Sequence, residues 1–155
     1  MSTVTAHAEK VLDSPAETVY NCIADMRNHH PNFLPPAFSD FAVESGGFGA
    51  GTVTTCRFSA GGRTREYRMA VSEPQPGRIL SEEDTNSSLV TTFTVTANGP
   101  ERCTVRIDTK WEGAGGVGGF FEKRFAPKAL RRIYDDELAR LGAYAKQQPA
   151  APAST

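Results

Sequence analysis

Apolar and polar residues alternate with a period of two over most of the first 112 positions, and after residue 119 apolar residues recur every three or four. This order predicts an antiparallel sheet followed by one long amphipathic helix. Val4 to Leu12 reads as the first strand and ends at Asp13-Ser14-Pro15-Ala16-Glu17. There Ser14 or Asp13 can accept from the orphan N–H groups of a helix, Pro15 suits its first turn and Glu17 its positive end. Val19, Tyr20, Ile23 and Ala24 share a face of that helix, and a second short helix near Met26 to His30 is expected to stop at Pro31. Asn32 to Pro36 forms a rigid connector. Phe38 to Glu44 reads as a strand closed by the glycine-rich run from Gly46 to Gly51.

The next strands can be placed in register. A two-residue loop at Gly61-Gly62 pairs Ala60 with Arg63, Phe58 with Arg65, Cys56 with Tyr67 and Thr54 with Met69. Cys56, Phe58, Arg65, Tyr67, Met69 and Val71 then point inward, while Arg57 with Glu66 and Thr55 with Arg68 form a polar outer face. Pro74 to Gly77 breaks the chain before a short strand, Arg78 to Asp84, whose facing the pattern leaves open. Leu89, Thr91, Phe93 and Val95 share one side of the next strand, and Cys103, Val105, Ile107, Thr109 and Trp111 alternate likewise. A three-residue loop would oppose Val95 to Cys103 and Phe93 to Val105, keeping both apolar sets together. Gly113 to Gly119 then releases the chain into a helix from about Phe120 to Lys146. Its apolar stripe is Phe120, Leu130, Ile133, Tyr134, Leu138 and Leu141, with Arg124, Arg131, Arg132 and Arg140 mostly elsewhere.

Composition narrows this picture. With 155 residues, 39% hydrophobic and 23% charged, the chain can bury one core of ordinary size. We therefore expect a single domain over residues 1–146 with a disordered tail, 147–155, rich in Ala and Pro. A formal net charge of −1 argues against nucleic acid or an anionic membrane as the main partner. The N-terminus lacks the pattern of a secretory signal and no stretch approaches a membrane span, so a cytoplasmic location without membrane insertion is expected. Cys22, Cys56 and Cys103 are too widely spaced for a zinc motif and read as small buried hydrophobes.

Four segments carry a resemblance. The strand entering Ser14-Pro15-Ala16-Glu17-Thr18-Val19-Tyr20, the Gly49-Ala50-Gly51-Thr52 turn, the Glu73-Pro74 break before Arg78-Ile79-Leu80, and the closing Leu130-Arg131-Arg132-Ile133-Tyr134-x-x-Glu137-Leu138-x-x-Leu141 resemble the START-like, or polyketide cyclase/dehydrase (SRPBCC, birch-pollen-allergen-like), superfamily. The resemblance spans roughly residues 3 to 145. It implies an α+β helix-grip fold: a curved antiparallel sheet wrapped around the C-terminal helix, with a cavity between them that in other members takes lipids, polyketides, hormones or quinones. No catalytic residue is carried over, because no catalytic motif is present to match.

Other signals are weaker. Gly113-Ala114-Gly115-Gly116-Val117-Gly118 satisfies G-x-G-x-x-G, but the βαβ unit of a dinucleotide fold needs a second parallel strand after the helix, and here the chain ends with it. The run reads instead as a flexible hinge. His29 and His30 are adjacent on a helix and point about 100° apart, so a solvated helix end explains them better than a metal site. No cofactor is implied. Arg65 stands out, because an inward guanidinium among Phe58, Tyr67 and Met69 needs a ligand carboxylate or phenolate, an inward Glu82 or Glu83, or a route to water at the hairpin end.

Three functions remain open on the sequence. The first is binding of a small apolar or aromatic molecule by Phe58, Arg65, Tyr67, Met69, Thr91, Phe93, Trp111, Phe120 and Tyr134. The second is a cyclase, aromatase or dehydratase in which Arg65 and Tyr67 position an enolate. The third is a protein-interaction or chaperone-like module that uses the arginines of the last helix.

Overall fold

The computed structural model describes residues 3–113 and 116–149, with the backbone alone over 116–125. Strand β1 (Thr3–Leu12) leads into helix α1 (Ala16–Ala24) and a 3-10 turn (His30–Phe33). Strands β2 (Phe38–Ser45), β3 (Val53–Ala60), β4 (Arg63–Gln75), β5 (Ile79–Asp84), β6 (Val90–Ala97) and β7 (Cys103–Glu112) follow, and helix α2 (Gly116–Lys146) closes the chain. The seven strands form one antiparallel sheet in the order β1-β7-β6-β5-β4-β3-β2. β1 reaches β7 across the far edge, and every other neighbour is joined by a hairpin-type connection. The fold is the α+β helix-grip arrangement, with α2 lying along β1.

Alternation explains which sheet face is covered. Val4, Ala6, Ala8, Leu80, Phe93, Val95, Val105 and Ile107 are buried on the concave face, against Leu138, Leu141 and Ala145 of α2 and Val19 and Ile23 of α1. At Gly142 the helix comes so close to β1 that an added Cβ would sit 3.0 Å from Leu12 Cδ2. The apolar stripe of α2 thus seals one end of the sheet, and toward the other end the two layers diverge.

The β3–β4 register is the one the glycine pair predicts, from Ala60↔Arg63 to Thr54↔Met69, and both loop glycines have positive φ. On the outer face Arg57 pairs with Glu66 at 3.1 Å. Elsewhere the sequence reading needs correction. The β6–β7 loop has five residues, so Val95 faces Val105 and Phe93 faces Ile107 rather than Cys103 and Val105. The two-residue slip preserves the apolar face because side chains repeat every second position, and the Asn98 N–H to Arg102 carbonyl bond of 2.8 Å closes the longer loop. Helix α1 has no side-chain cap: Pro15 is its N-cap residue, and Asp13 pairs with Arg102 and Lys146 instead.

Only one α-helix follows β1. The predicted second helix is a turn leading into the short 3-10 segment, and Pro31 opens that segment rather than ending a helix, since its missing N–H costs nothing in a first turn. Helix α2 begins at Gly116, so the glycine-rich break is shorter than expected and Gly116, Gly118 and Gly119 belong to the helix. The side chains of Phe120 and Arg124 and the end of the tail lie outside the described residues. Among the described residues no helix is long and apolar enough to cross a membrane.

Candidate functional site

Where α2 and the sheet diverge they enclose a cavity of about 820 Å³. Its wall is built by the strand registers. One row across the sheet runs Val71↔Glu82↔Thr91↔Thr109, and the next runs Leu80↔Phe93↔Ile107. Side chains in register share a face, so the first row brings Glu82, Thr91 and Thr109 beneath α2. The previously open facing of β5 is thereby determined: Leu80, Glu82 and Asp84 are on the concave side. Ser81 points away and shares a 3.0 Å hydrogen bond with Thr92.

Of the residues singled out from the sequence, Phe58, Arg65, Tyr67, Met69, Thr91, Phe93, Trp111 and Tyr134 all line this cavity. Phe120 lies outside the described side chains. The lining divides into two zones. Gly61, Arg63, Arg65, Ser87, Ser88 and Ala129 are exposed and form the mouth, between the β3–β4 hairpin, the β5–β6 loop and the first half of α2. Deeper, Thr54, Met69, Thr91, Phe93, Tyr134 and Glu137 are buried.

Polar groups converge in the deep zone. The Thr91 and Thr109 hydroxyls are 2.8 Å apart, and Thr109 also bonds the Tyr134 hydroxyl across the gap between sheet and helix. Burial keeps the Tyr134 phenol protonated well above its ordinary range, although the threonine bonds partly offset this. Beside it stand two carboxyls. Glu137, one turn along α2 from Tyr134, is only 2% exposed, and Glu82, half-buried, lines the wall from β5. Burial pushes Glu82 up to about 7. Glu137 is pushed up to about 8 by burial and by the charges of Glu82 and Asp136. Neither carboxyl has a hydrogen bond or ion pair among the described residues.

Arg65 is exposed at the mouth beside Tyr67 and forms no ion pair among the described residues, so it reaches water as a residue near a hairpin end can. Burial raises the Tyr67 phenol, and the Arg65 guanidinium only partly opposes that effect. Cys56, expected to be core, is half-buried in the cavity wall, where burial and the charges of Glu82, Asp84 and Glu137 push its thiol up to about 12. It is a protonated thiol rather than a nucleophile.

The histidine expectation is overturned for one of the pair. His30 is 3% exposed, not solvated. Its Nδ1 lies 2.7 Å from the Ile23 carbonyl, which can only accept, so Nδ1 carries the proton. Burial lowers its pKa to about 4 and keeps it neutral, packed against Phe33, Phe41 and Phe93. His29 instead meets the Tyr144 hydroxyl at 2.6 Å. Among the described residues no cluster of three His, Cys, Asp or Glu side chains is arranged for a metal.

Sequence reasoning raised an inward Glu82 only as a possible partner of Arg65, and missed Glu137 as a member of the site. Their signal was present: Glu82 alternates with Leu80, and Glu137 follows Tyr134 by three positions and precedes Leu141 by four, on the apolar stripe of α2. A charged residue at an apolar position is what an interior site looks like in one dimension.

The comparisons with known proteins agree with this geometry. The KanY protein, solved in solution, is 37% identical, covers 94% of this chain and 99% of its own, and superposes with a TM-score of 0.82. The Zhui aromatase/cyclase from Streptomyces sp. R1128 shares the fold at 13% identity, with 94% and 95% coverage and a TM-score of 0.75. Norcoclaurine synthase from Thalictrum flavum, solved with dopamine and hydroxybenzaldehyde, shares it at 17% identity, with 97% and 90% coverage and a TM-score of 0.71. No curated protein matches the sequence. The family described as polyketide cyclase/dehydrase and lipid transport matches residues 3–146, and a helix-grip chain matched over that length belongs to it.

Proposed function

We propose that this protein binds a small apolar or aromatic molecule in the cavity between the sheet and α2. The observation that carries the reading is the cavity: about 820 Å³, open at one end, with a mostly apolar wall of aromatic and aliphatic side chains into which polar groups such as Thr91, Glu82 and Glu137 project. That size and composition suit a ligand of several rings or a medium acyl chain. The chain contains a single tryptophan, Trp111, and it lies in the wall. Intrinsic fluorescence therefore reports directly on filling. Titration with a panel of lipids and polyphenols is expected to change Trp111 emission saturably and to raise the melting temperature. A flat response in both signals across the panel would overturn the reading.

A second reading, dehydration or cyclisation of a polyketide-like phenol, is favoured by the placement of Arg65 beside Tyr67 at the mouth. With its phenol held protonated, Tyr67 acts as hydrogen-bond donor and acid, and the guanidinium stabilises a developing enolate. Turnover of a polyketide-like substrate that survived both Arg65→Ala and Tyr67→Phe unchanged would dismiss this role.

A further inference from the structure

The two carboxyls of the deep zone face a largely apolar hollow with no countercharge among the described residues. Glu137 projects from α2 at 2% exposure and Glu82 from β5, both onto the lining. Both act on the Cys56 thiol and on the Tyr134 phenol, and Glu82 acts on Glu137, so the two carboxyls stand within electrostatic reach of each other and of both groups. Asp84, on the same face of β5, differs: it accepts from the Arg68 N–H at 3.1 Å and from the Ser87 hydroxyl at 2.6 Å. The arginines of the lining, Arg63 and Arg65, are exposed at the hairpin end and form no ion pair with the deep carboxyls among the described residues. Among the described residues the other titratable groups facing the cavity are neutral His30, the phenols Tyr67 and Tyr134, the thiol Cys56, and Glu112 at the mouth. Among the described residues the interior of the cavity is thus acidic, and no cation there balances it.

Burying a charge is costly unless it is paired, and evolution has many cheaper residues for a cavity wall than two glutamates. An anionic ligand would add a third negative group. A neutral one would leave the carboxyls without partners. We propose that the cavity is built for an apolar molecule carrying a basic nitrogen, whose ammonium is held between Glu82 and Glu137 while its hydrocarbon part packs on Phe93, Met69 and Tyr134. The inference rests on the cavity reading and narrows it to a ligand class. On binding, the ligand keeps its proton, its N–H groups donate to the two carboxylates, and the carboxyl protons leave to bulk solvent. The aromatic ring of Tyr134 beside the pair adds a cation–π contribution.

The test is a matched pair of probes, 4-phenylbutylamine and 4-phenylbutan-1-ol, followed by Trp111 fluorescence and by calorimetry. At pH 8 the amine is expected to bind at least tenfold more tightly than the alcohol. Its advantage should shrink as pH falls to 6, because both carboxyls are then protonated. Calorimetry in buffers of different ionisation enthalpy should show net proton release with the amine and none with the alcohol. Glu137→Gln and Glu82→Gln should each cut amine affinity at least tenfold and leave alcohol affinity within twofold, while Glu101→Gln, exposed on the β6–β7 loop and outside the lining, should alter neither. The outcomes separate the two claims. Equal binding of both probes, or an amine preference that survives both glutamine variants, overturns the inference and leaves the cavity reading standing. If neither these probes nor the wider panel binds, both fall.

Discussion

Replacing Glu137 by Gln keeps the shape of the side chain and removes its ionisation, so it isolates what that buried carboxyl costs the fold. The native pKa of about 8 stands well above the ordinary 4.5 of the unfolded chain. Between those values the native state binds more protons than the unfolded state, and stability therefore falls as pH rises through the window. At about 1.4 kcal/mol per pH unit the full loss by pH 9 would be about 5 kcal/mol. Water entering an open cavity reduces this, so about 2–5 kcal/mol is the expected range. That is a large share of the roughly 5–15 kcal/mol that holds a typical domain together. His30 runs the other way. Neutral in the fold down to about 4 and protonated in the unfolded chain below 6.5, it removes stability as pH falls. The variant retains His30, so subtracting the two profiles cancels its effect. Urea unfolding at intervals from pH 4.5 to 9 should give curves within about 1 kcal/mol of each other at the acid end. At pH 9 Glu137→Gln should be the more stable by about 2–5 kcal/mol. Parallel profiles across the range would show that Glu137 ionises as freely as on a surface, and the electrostatic account of the deep zone would fail with them.

Further outcomes follow from the same structure. Gly49→Ala should cost about 2–4 kcal/mol, because the site has φ +62° and the new Cβ would lie 2.1 Å from Glu73 Oε1, displacing the carboxylate that accepts from Tyr20 and Ala50. Gly61→Ala, with a similar φ of +60° but open space around it, should cost only about 1 kcal/mol; denaturant midpoints compare the two directly. Nitrogen-15 spectra should show His30 as the neutral Nδ1–H tautomer down to about pH 5, and an imidazolium signal at pH 6 would refute the burial argument. Leu138→Ala, in the fully buried contact between α2 and the sheet, should lower stability by about 2–5 kcal/mol in the same denaturant assay.

Most of what can be read along this chain without its fold is local or periodic. Alternation placed the strands, and the glycine pair at 61 and 62 set the β3–β4 register residue by residue, because a two-residue hairpin loop allows one pairing. The apolar stripe from Leu130 to Leu141 announced the helix that the sheet grips. Strand parity turned seven of the nine residues singled out for the site toward the cavity wall, and the apolar stripe of α2 brought Tyr134 there. Loop length and burial were beyond its reach. The five-residue β6–β7 loop, the single α-helix after β1 and the buried His30 depend on packing between distant segments, which no local pattern encodes. Above all, Glu82 and Glu137 stand 55 positions apart, and although each falls on an apolar face of its own segment, nothing local says that they meet. Only the closure of α2 over β5 brings both carboxyls to one apolar hollow, and burial there, rather than their identity, gives them unusual chemistry.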